Sequence, residues 1–303
     1  MNTVAVGVQS KGIVYDNDPL EGFEMMRRAG FSCCDFSLDS YFTDLSFSSQ
    51  KGNDFFQKSV QELKDFFAPH KEAAETAGIK INQMCMPSSV CIPNMAVEID
   101  RGLMHTVASK SMEICAFFDC PYIVVHGIDA VRNMGAEWTE KFLDSLVPVA
   151  KDLRITICIE SPGMKNSCCD RGKETAYIDH MNAKYGAEVL GVCLDTGHAN
   201  LSGIDLEDFI TTIGRRLKVL HIHDNDGIRD LHQIPFTLSG DYANVSPTDW
   251  NGFIRGLRKI QFDQVLSFET APALSIFPRK MKQDVLRFVA QIGSYFVGEI
   301  QSS

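Results

Sequence analysis

The feature that most constrains the fold of this chain is a regular alternation of short apolar runs with longer helix-like segments. Eight apolar runs predict strands: Val4–Gln9, Cys33–Phe36, Lys80–Cys85, Tyr122–His126, Thr156–Glu160, Leu190–Asp195, Lys218–His223 and Gln264–Glu269. The segments between and after them predict helices: Leu20–Ala29, Phe55–Ala77, Glu98–Phe118, Trp138–Lys151, Thr175–Tyr185, Leu206–Ile213, Asp249–Lys259 and Arg279–Val297. Strands that alternate with helices pair in parallel, and eight such units match a (β/α)8 barrel.

The alternation also predicts one domain over residues 1–303, because no linker or shift in composition interrupts it. A doubly wound open sheet is the alternative architecture. Its first strand normally leads into a GxGxxG phosphate loop. The turn after Val4–Gln9 lacks that glycine pattern, which favours the barrel.

Charge and cysteine usage narrow the class of protein. The formal net charge is −10 at pH 7, which argues against binding to a nucleic-acid backbone. The ten cysteines contain no CxxC zinc pattern, and adjacent pairs such as Cys33-Cys34 make a poor disulfide framework. No basic segment precedes the first strand, and no apolar run is long enough to span a bilayer. We therefore expect a cytoplasmic protein with reduced thiols and no membrane partner.

Titratable residues collect at the predicted carboxyl ends of the strands, where the active site of a (β/α)8 barrel lies. The strand-end residues are Gln9, Asp35, Cys85, His126, Glu160, Asp195, His221 with His223, and Glu269. Buried carboxylates that converge without a cation repel one another and lose hydration. A divalent metal removes that cost, and mixed carboxylate and imidazole ligands favour Mn²⁺, Mg²⁺, Co²⁺ or Zn²⁺. For each acid alone, a salt bridge at a strand end is the alternative.

Small side chains share the inward face with these acids. Cys158 precedes Glu160 by two residues, Cys193 precedes Asp195, and Ser267 precedes Glu269. Alternate residues of a strand lie on the same face. The pattern therefore predicts a narrow barrel interior beneath a polar site.

Four stretches at successive strand ends resemble the xylose isomerase-like TIM-barrel superfamily, which contains sugar and sugar-phosphate isomerases and epimerases and the endonuclease IV nucleases. They are Ile157-Cys-Ile-Glu-Ser161, Val192-Cys-Leu-Asp-Thr-Gly-His198, His221-Ile-His-Asp-Asn-Asp-Gly227 with Asp230-Leu-His232, and Leu266-Ser-Phe-Glu269. The resemblance spans nearly the whole chain, with its informative motifs from about His126 onward. Each motif alone is weak, but four in this order are specific.

The resemblance implies one divalent cation, with Mn²⁺ favoured, and the ligands Glu160, Asp195, His221 and Glu269. An H-x-x-[DE] pattern in the superfamily selects His221 before Asp224, and the alternative is His223 before Asp226. The residues that the resemblance implies to contact substrate are His198, His223, Asp230 and His232, and for His198 a cap of the next helix is the alternative. His126 is a further substrate-contact candidate, because it ends an apolar run and Gly127 lets a ligand approach the backbone.

The function implied by the resemblance is that of a metal-dependent ketose epimerase or aldose–ketose isomerase. Glu160 and Glu269 would exchange a proton as base and acid through a metal-stabilised enediolate. The alternative is a lyase that uses the same enolate chemistry. It would be an inosose-type dehydratase, or the catalytic subunit of a C-glycoside deglycosidase with a small β-rich partner. The loop from His232 to Asn244 lacks a short Pro-Gly-x-Gly turn, which keeps the lyase open.

Two further functions are less favoured by the sequence. An abasic-site nuclease would need another histidine on the third strand, and Asn82-Gln-Met-Cys-Met86 has none. A non-catalytic sugar-binding barrel would not need the intact set of acids and histidine.

The expected partner is a small carbohydrate, with a free sugar or polyol favoured over a sugar phosphate because no phosphate-binding glycine loop is evident. Lys11, Tyr15, Asp16 and the Asp39–Phe47 loop are expected to set specificity. We also expect a homo-oligomer, or a hetero-oligomer with a small β-rich subunit.

Overall fold

The computed structural model describes residues 4–42, 54–88, 101–126, 135–161, 171–240 and 245–302. Three predicted elements fall partly outside these ranges. They are the Asp39–Phe47 loop beyond residue 42, the first three residues of the helix Glu98–Phe118, and residues 241–244 of the loop after His232.

A ring of parallel strands forms the centre of the described structure. The strands are β1 Val6–Gln9, β2 Cys33–Ser37, β3 Lys80–Cys85, β4 Tyr122–His126, β5 Thr156–Ser161, β6 Leu190–Asp195, β7 Leu217–His221 and β8 Leu266–Phe268. Their order in the sheet is β7-β6-β5-β4-β3-β2-β1-β8. The ring closes where Ile222 N–H donates to Ser267 O (2.9 Å) and Glu269 N–H donates to Ile222 O (3.0 Å). The predicted (β/α)8 barrel is confirmed.

Helices follow the strands in the order that the sequence predicts, with two further short helices, Thr196–Leu201 and Ala271–Ser275, that it does not predict. In the described residues they are α1 Pro19–Ala29, α2 Asp54–Gln57, α3 Val60–Ala77, α4 Arg101–Phe117, α5 Gly135–Leu153, α6 Arg171–Tyr185, α7 Thr196–Leu201, α8 Leu206–Ile213, α9 Trp250–Lys259, α10 Ala271–Ser275 and α11 Arg279–Gln301. Across the described ranges, no helix combines the length and the apolar character needed to cross a membrane.

One predicted helix, Phe55–Ala77, is two helices in the structure. The break falls at Ser59, whose hydroxyl accepts a hydrogen bond from Glu62 N–H (3.2 Å). The Glu62 carboxylate in turn accepts from Ser59 N–H (2.7 Å). This reciprocal capping box starts α3 anew. Gly78 ends α3 in the left-handed region, with a φ of 68°, as its position predicts.

The strand predicted over Lys218–His223 ends two residues early, at His221. Its register with β6 ends at the pair Asp195↔His221. Beyond that point the chain bonds to other partners, because Ile222 bridges Phe268 and Asp224 pairs antiparallel with Gln233. His223 therefore lies just after the strand rather than on it.

Two separate hydrophobic cores position the site. The larger core lies between the strands and the surrounding helices. The smaller core fills the barrel interior with Cys85, Val124, Cys158, Cys193 and Val219, and the three cysteines are free thiols. The predicted narrow interior is thus confirmed at Cys158 and Cys193, directly beneath Glu160 and Asp195.

Candidate active site

Glu160 links several imidazoles at the carboxyl end of β5. Its side chain is 3% exposed, and Oε2 lies 2.9 Å from Nε2 of His126, the residue that pairs with Glu160 across β4 and β5. The other oxygen, Oε1, lies 3.5 Å from Nδ1 of both His198 and His221. Both carboxylate oxygens therefore face nitrogen atoms inside the barrel mouth.

Asp195 is fixed at both of its carboxylate oxygens. It ends β6 and caps α7, where Oδ1 accepts a hydrogen bond from His198 N–H (2.7 Å). Its Oδ2 lies 3.0 Å from Nε2 of His223, and both side chains are fully buried. Because a short strand leads directly into a short helix here, the same carboxylate caps the helix and faces the site.

His221 presents its two ring nitrogens to different groups. Nδ1 lies 3.5 Å from Glu160 Oε1 and 3.4 Å from Glu269 Oε2. Nε2 lies 3.2 Å from Asp35 Oδ2 and 3.7 Å from Cys85 Sγ. The ring thus separates the strand-end glutamates from a buried carboxylate on β2.

Glu269 follows β8 and is oriented by a neutral amide. Gln9 Nε2, at the end of β1, donates a hydrogen bond to Glu269 Oε1 (2.7 Å). Since Oε1 is held by Gln9, Oε2 is the oxygen that faces His221. The backbone carbonyl of Glu269 lies 3.2 Å from Nδ1 of His232.

Four side chains open from this cluster toward solvent. Asp230 is 22% exposed, His232 20%, His126 17% and Glu269 13%. Asp230 Oδ2 lies 3.1 Å from His232 Nε2 and 3.6 Å from His198 Nε2. These are the side chains that a molecule entering the mouth would meet first.

His223 lies behind this opening. Its side chain is fully buried, and its ring stacks on that of His232 with 3.9 Å between the ring centroids. The structure therefore places His223 against Asp195 and His232, although the sequence predicts it to contact substrate.

The cluster has a strongly negative potential. Burial by itself lowers the pKa of His198, but the charges of Asp195, Glu160 and Asp230 raise it to about 10. In the same way, burial lowers the pKa of His232 while Glu269 and Asp230 raise it to about 9. The acids thus stabilise positive charge at this position.

The carboxylates of Glu160 and Asp195 are held in the ionised form. Burial raises the pKa of Glu160, but the charges and hydrogen bonds of His126 and His221 outweigh it and hold that pKa well below its usual range. Burial likewise opposes ionisation of Asp195, whose pKa is nevertheless lowered by His198 and His223. Ionised carboxylates are the form that ligates a metal.

The donor set fits a divalent cation. A cation about 2.0–2.2 Å from two ligand atoms holds those atoms roughly 3.0–3.5 Å apart. The separations of His221 Nδ1 from Glu160 Oε1 and Glu269 Oε2, 3.5 and 3.4 Å, correspond to that spacing. Asp195 also offers a ligand atom within 4.8 Å of those of His221 and Glu269. The buried Nδ1 of His198 has no hydrogen-bond partner among the described residues, as expected of a polar atom that faces a ligand site.

Every residue of the predicted site joins one contact network in the structure. The network comprises His126, Glu160, Asp195, His198, His221, His223, Asp230, His232 and Glu269. Their individual roles remain predictions. Of the two histidines proposed as the ligand, His221 lies between Glu160 and Glu269, whereas His223 groups with Asp230 and His232.

Sequence reasoning gave no role to Gln9, Asp35 and Gln83, which support the network from β1, β2 and β3. The only signal available was that Gln9 and Asp35 end their strands as the acids do. Gln83 donates to Asp35 Oδ2 (3.3 Å) and to Leu220 O (3.2 Å). No motif marks this residue.

Asp224, the acid of the H-x-x-D pattern, anchors the loop and does not face the site. Its Oδ1 accepts hydrogen bonds from Thr248 Oγ1 (2.7 Å) and Asn225 N–H (2.9 Å). Its Oδ2 accepts from Trp250 Nε1 (3.2 Å). The spacing of the motif thus reflects a fixed turn after His221, and Trp250 helps to hold that turn.

Gly197 is required by the close packing of His223. A Cβ at this position would lie 2.0 Å from His223 Cε1 and 2.5 Å from Nδ1. We expect Gly197→Ala to displace the ring from Asp195 and to lower the free energy of unfolding by about 1–3 kcal/mol, as overpacking does. Urea unfolding monitored by circular dichroism measures this change.

Gly298→Ala in α11 is the matched control. A Cβ there meets nothing within 4 Å, so alanine is expected to stabilise the helix by about 0.5–1 kcal/mol. If both variants unfold at the same urea concentration, the packing argument at Gly197 is wrong.

The sequence of this chain is similar to those of several known proteins. The family model described as xylose isomerase-like TIM barrel matches residues 23–290. An uncharacterized protein of Sinorhizobium fredii is 31% identical over 88 residues, 29% of this chain and 26% of that protein. A probable endonuclease 4 of Mycoplasma genitalium is 32% identical over 135 residues, 40% of this chain and 44% of that protein. The chain thus spans less than half the length of either of these curated relatives.

Solved structures resemble the whole chain. D-allulose 3-epimerase from Methylomonas sp. superposes with a TM-score of 0.66 at 14% identity, and the match covers 99% of each chain. The IolI protein, solved with a bound zinc atom, superposes with a TM-score of 0.65 at 16% identity over 99% of this chain and 100% of that one. At these identities the likeness shows the fold.

Proposed function

Because this chain belongs to the xylose isomerase-like TIM-barrel family, we propose that it is a divalent-metal-dependent isomerase or epimerase of a keto sugar or related polyol. The observation that carries the proposal is the position of two glutamates around one imidazole nitrogen. Glu160 from β5 and Glu269 from β8 approach Nδ1 of His221 to 3.5 and 3.4 Å. Two carboxylates beside one cation site suit epimerisation at the carbon next to a carbonyl, because one can accept the proton and the other can supply one.

Glu160, Asp195, His221 and Glu269 would hold the cation. When bound, it would polarise the substrate carbonyl and stabilise the negative charge that develops as the neighbouring C–H loses its proton. The nature of the ligands favours Mn²⁺ and is compatible with Mg²⁺, Co²⁺ and Zn²⁺.

Glu160 and Glu269 would act as the proton acceptor and donor. Their surroundings differ, because Glu160 contacts His126 at 2.9 Å and Glu269 is held by the neutral amide of Gln9. Two carboxyl groups in different environments can hold opposite protonation states. Both lie close enough to the same site to act on one substrate carbon.

The open side chains suit a polyhydroxylated ligand. His126, Asp230 and His232 offer hydrogen-bond donors and acceptors at the mouth, and His198 lies just beneath with its Nε2 3.6 Å from Asp230. His223 would hold Asp195 in place. Lys11, the cation of the β1 loop, is 3.1 Å from Asp39. This acid-rich mouth favours an uncharged sugar over a sugar phosphate.

Solvent exchange tests the proposal directly. The Mn²⁺-loaded protein would be incubated in D₂O with D-fructose, D-tagatose and D-allulose, sugars named for solved relatives. We expect deuterium at a carbon adjacent to the carbonyl, detected by NMR, and loss of exchange after chelation. Bound Mn²⁺ without exchange into any ketose or polyol ketone would contradict the proposal.

A lyase that shares this proton-abstraction step is distinguished by its product. Loss of water from a ketone with a β-hydroxyl, followed by its ultraviolet absorbance, would assign the dehydratase. Co-purification of a small second subunit would favour the C-glycoside deglycosidase. A molar mass in light scattering that is a whole multiple, two or more, of the mass of this chain would favour the homo-oligomer.

Abasic-site cleavage is the second candidate, because of the similarity to probable endonuclease 4. The third strand argues against it, since β3 ends in Cys85 and supplies no imidazole. Incubation with an oligonucleotide that carries one abasic site decides the question. We expect no incision at Mn²⁺ or Zn²⁺ concentrations that support ketose exchange.

A further inference from the structure

Asp35 lies on the side of His221 opposite the glutamates. We propose that Asp35 is a positioning residue that holds the Nε2–H of His221 and so leaves Nδ1 as the nitrogen that ligates the divalent cation. The inference rests on the proposed metal site. The observation behind it is the 3.2 Å distance from His221 Nε2 to Asp35 Oδ2, on the face away from Glu160 and Glu269.

The pairing of β2 with β3 places Gln83 opposite Asp35. The register between the two strands shifts between Cys34 and Asp35, so that Cys34 pairs with Ile81 and Asp35 with Gln83. The extra residue, Asn82, belongs to β3, and such bulges occur beside active sites, where they change the direction of a side chain. Asp35 is fully buried.

Gln83 fixes the carboxylate of Asp35 relative to β7. Its amide donates to Asp35 Oδ2 and to the carbonyl of Leu220, the residue before His221. The acid and the imidazole are therefore held to the same backbone segment. This support leaves Asp35 Oδ1 without a hydrogen-bond partner among the described residues, which is costly for a buried carboxylate that has only a structural role.

The chemistry of the two groups sets the direction of the hydrogen bond. In its ionised form the Asp35 carboxylate only accepts, so Nε2 then carries the proton and a neutral ring has its lone pair on Nδ1. A carboxylate partner also makes the ligating nitrogen more basic, and loss of such a partner typically lowers metal affinity about 10–100-fold. Cys85 Sγ, at 3.7 Å from Nε2, is a much weaker acceptor.

Metal affinity tests the role without any substrate. We expect Asp35→Leu to weaken Mn²⁺ binding about 10–100-fold, measured from the electron paramagnetic resonance signal of free Mn²⁺. Asp35→Asn, whose amide oxygen can still accept a hydrogen bond from His221 Nε2, is expected to lose less Mn²⁺ affinity. Cys85→Ala removes the other neighbour of Nε2 and is the control, with an expected change below about threefold because a thiol is a weak acceptor.

The ring itself can be observed in the Zn²⁺-loaded protein with ¹⁵N-labelled histidine. The signals of His221 are assigned from their absence in the spectrum of His221→Gln. We expect them to show the proton on Nε2 and the metal on Nδ1. A metal-bound Nε2 would overturn the proposal, because the cation would then lie on the Asp35 and Cys85 side. Wild-type affinity in both Asp35 variants would also overturn it.

These outcomes separate the inference from the proposed function. Asp35-dependent affinity without ketose exchange would leave the positioning role standing and refute the enzyme. Ketose exchange together with a Mn²⁺ affinity that does not depend on Asp35 would support the enzyme and refute the positioning role. Unfolding of the metal-free Asp35→Leu protein in urea shows whether the variant folds. If it does not fold, the ¹⁵N spectrum of the Zn²⁺-loaded wild-type protein still shows which nitrogen of His221 binds the metal.

Discussion

Replacing Glu269 with glutamine is expected to lower the rate of ketose exchange by about 10²–10⁴-fold, the usual contribution of a general acid or base. The glutamine side chain keeps its length, and its oxygen can still accept from Gln9 Nε2, which holds Oε1 at 2.7 Å. Its NH₂ group then takes the place of Oε2, 3.4 Å from His221 Nδ1. The variant therefore loses a proton carrier and a metal ligand without a change of shape.

The loss of a ligand and the loss of a proton carrier can be separated. Exchange is measured at Mn²⁺ concentrations that saturate the variant, so that the remaining defect belongs to proton transfer. Glu75→Gln, at an exposed position on α3, is the control and should exchange at the wild-type rate. If Glu269→Gln retains more than about a tenth of the wild-type rate, Glu269 is not one of the two proton carriers.

The positions of the site acids could be predicted because parallel strands bring their carboxyl ends to one edge of the barrel. Glu160 and Asp195 need only the correct strand and the correct inward face, and both follow from the alternation that also predicts Cys158 and Cys193 inside. Glu269 lies one residue past β8, and the bond from its N–H to Ile222 O still places it in the ring.

The orientation of the histidines could not be predicted in the same way. His221 and His223 are two residues apart, and an ideal strand would give them the same face. The strand ends at His221 because its bonds to β6 stop there, and His223 instead packs over Gly197 at a distance that excludes any Cβ. Where a strand stops depends on how the ring closes, which no local pattern encodes.

Asp35 shows a second limit of prediction. Its support by Gln83 depends on the register shift that leaves Asn82 unpaired, a property of two paired strands that are separated by more than forty residues in the chain. Simple alternation does not identify which nitrogen of His221 it meets. The support beneath the predicted ligands is therefore learned from the structure, whereas the ligand set itself is a prediction made from the sequence.

Replacing His221 with alanine is expected to produce the second large effect, a loss of Mn²⁺ affinity greater than the roughly 10–100-fold that removal of a supporting partner produces. Among the described residues, His221 alone has an imidazole nitrogen within 3.5 Å of both glutamates. Without it, the buried carboxylates keep their mutual repulsion and lose the nitrogen ligand that lies between them. His180→Ala, at an exposed position on α6, removes an imidazole of the same kind without touching the site.

Unfolding with and without Mn²⁺ makes the loss measurable apart from activity. A ligand present at about 1,000 times its dissociation constant stabilises the folded state by roughly 4 kcal/mol. We expect Mn²⁺ to raise the unfolding temperature of the wild-type and His180→Ala proteins, and chelation to lower it again. The temperature for His221→Ala should respond little to either treatment, since its folded state no longer binds the ion tightly. An equal response of the two variants to Mn²⁺ would place the cation away from His221, and the assignment of Glu160 and Glu269 as its neighbours would fail with it.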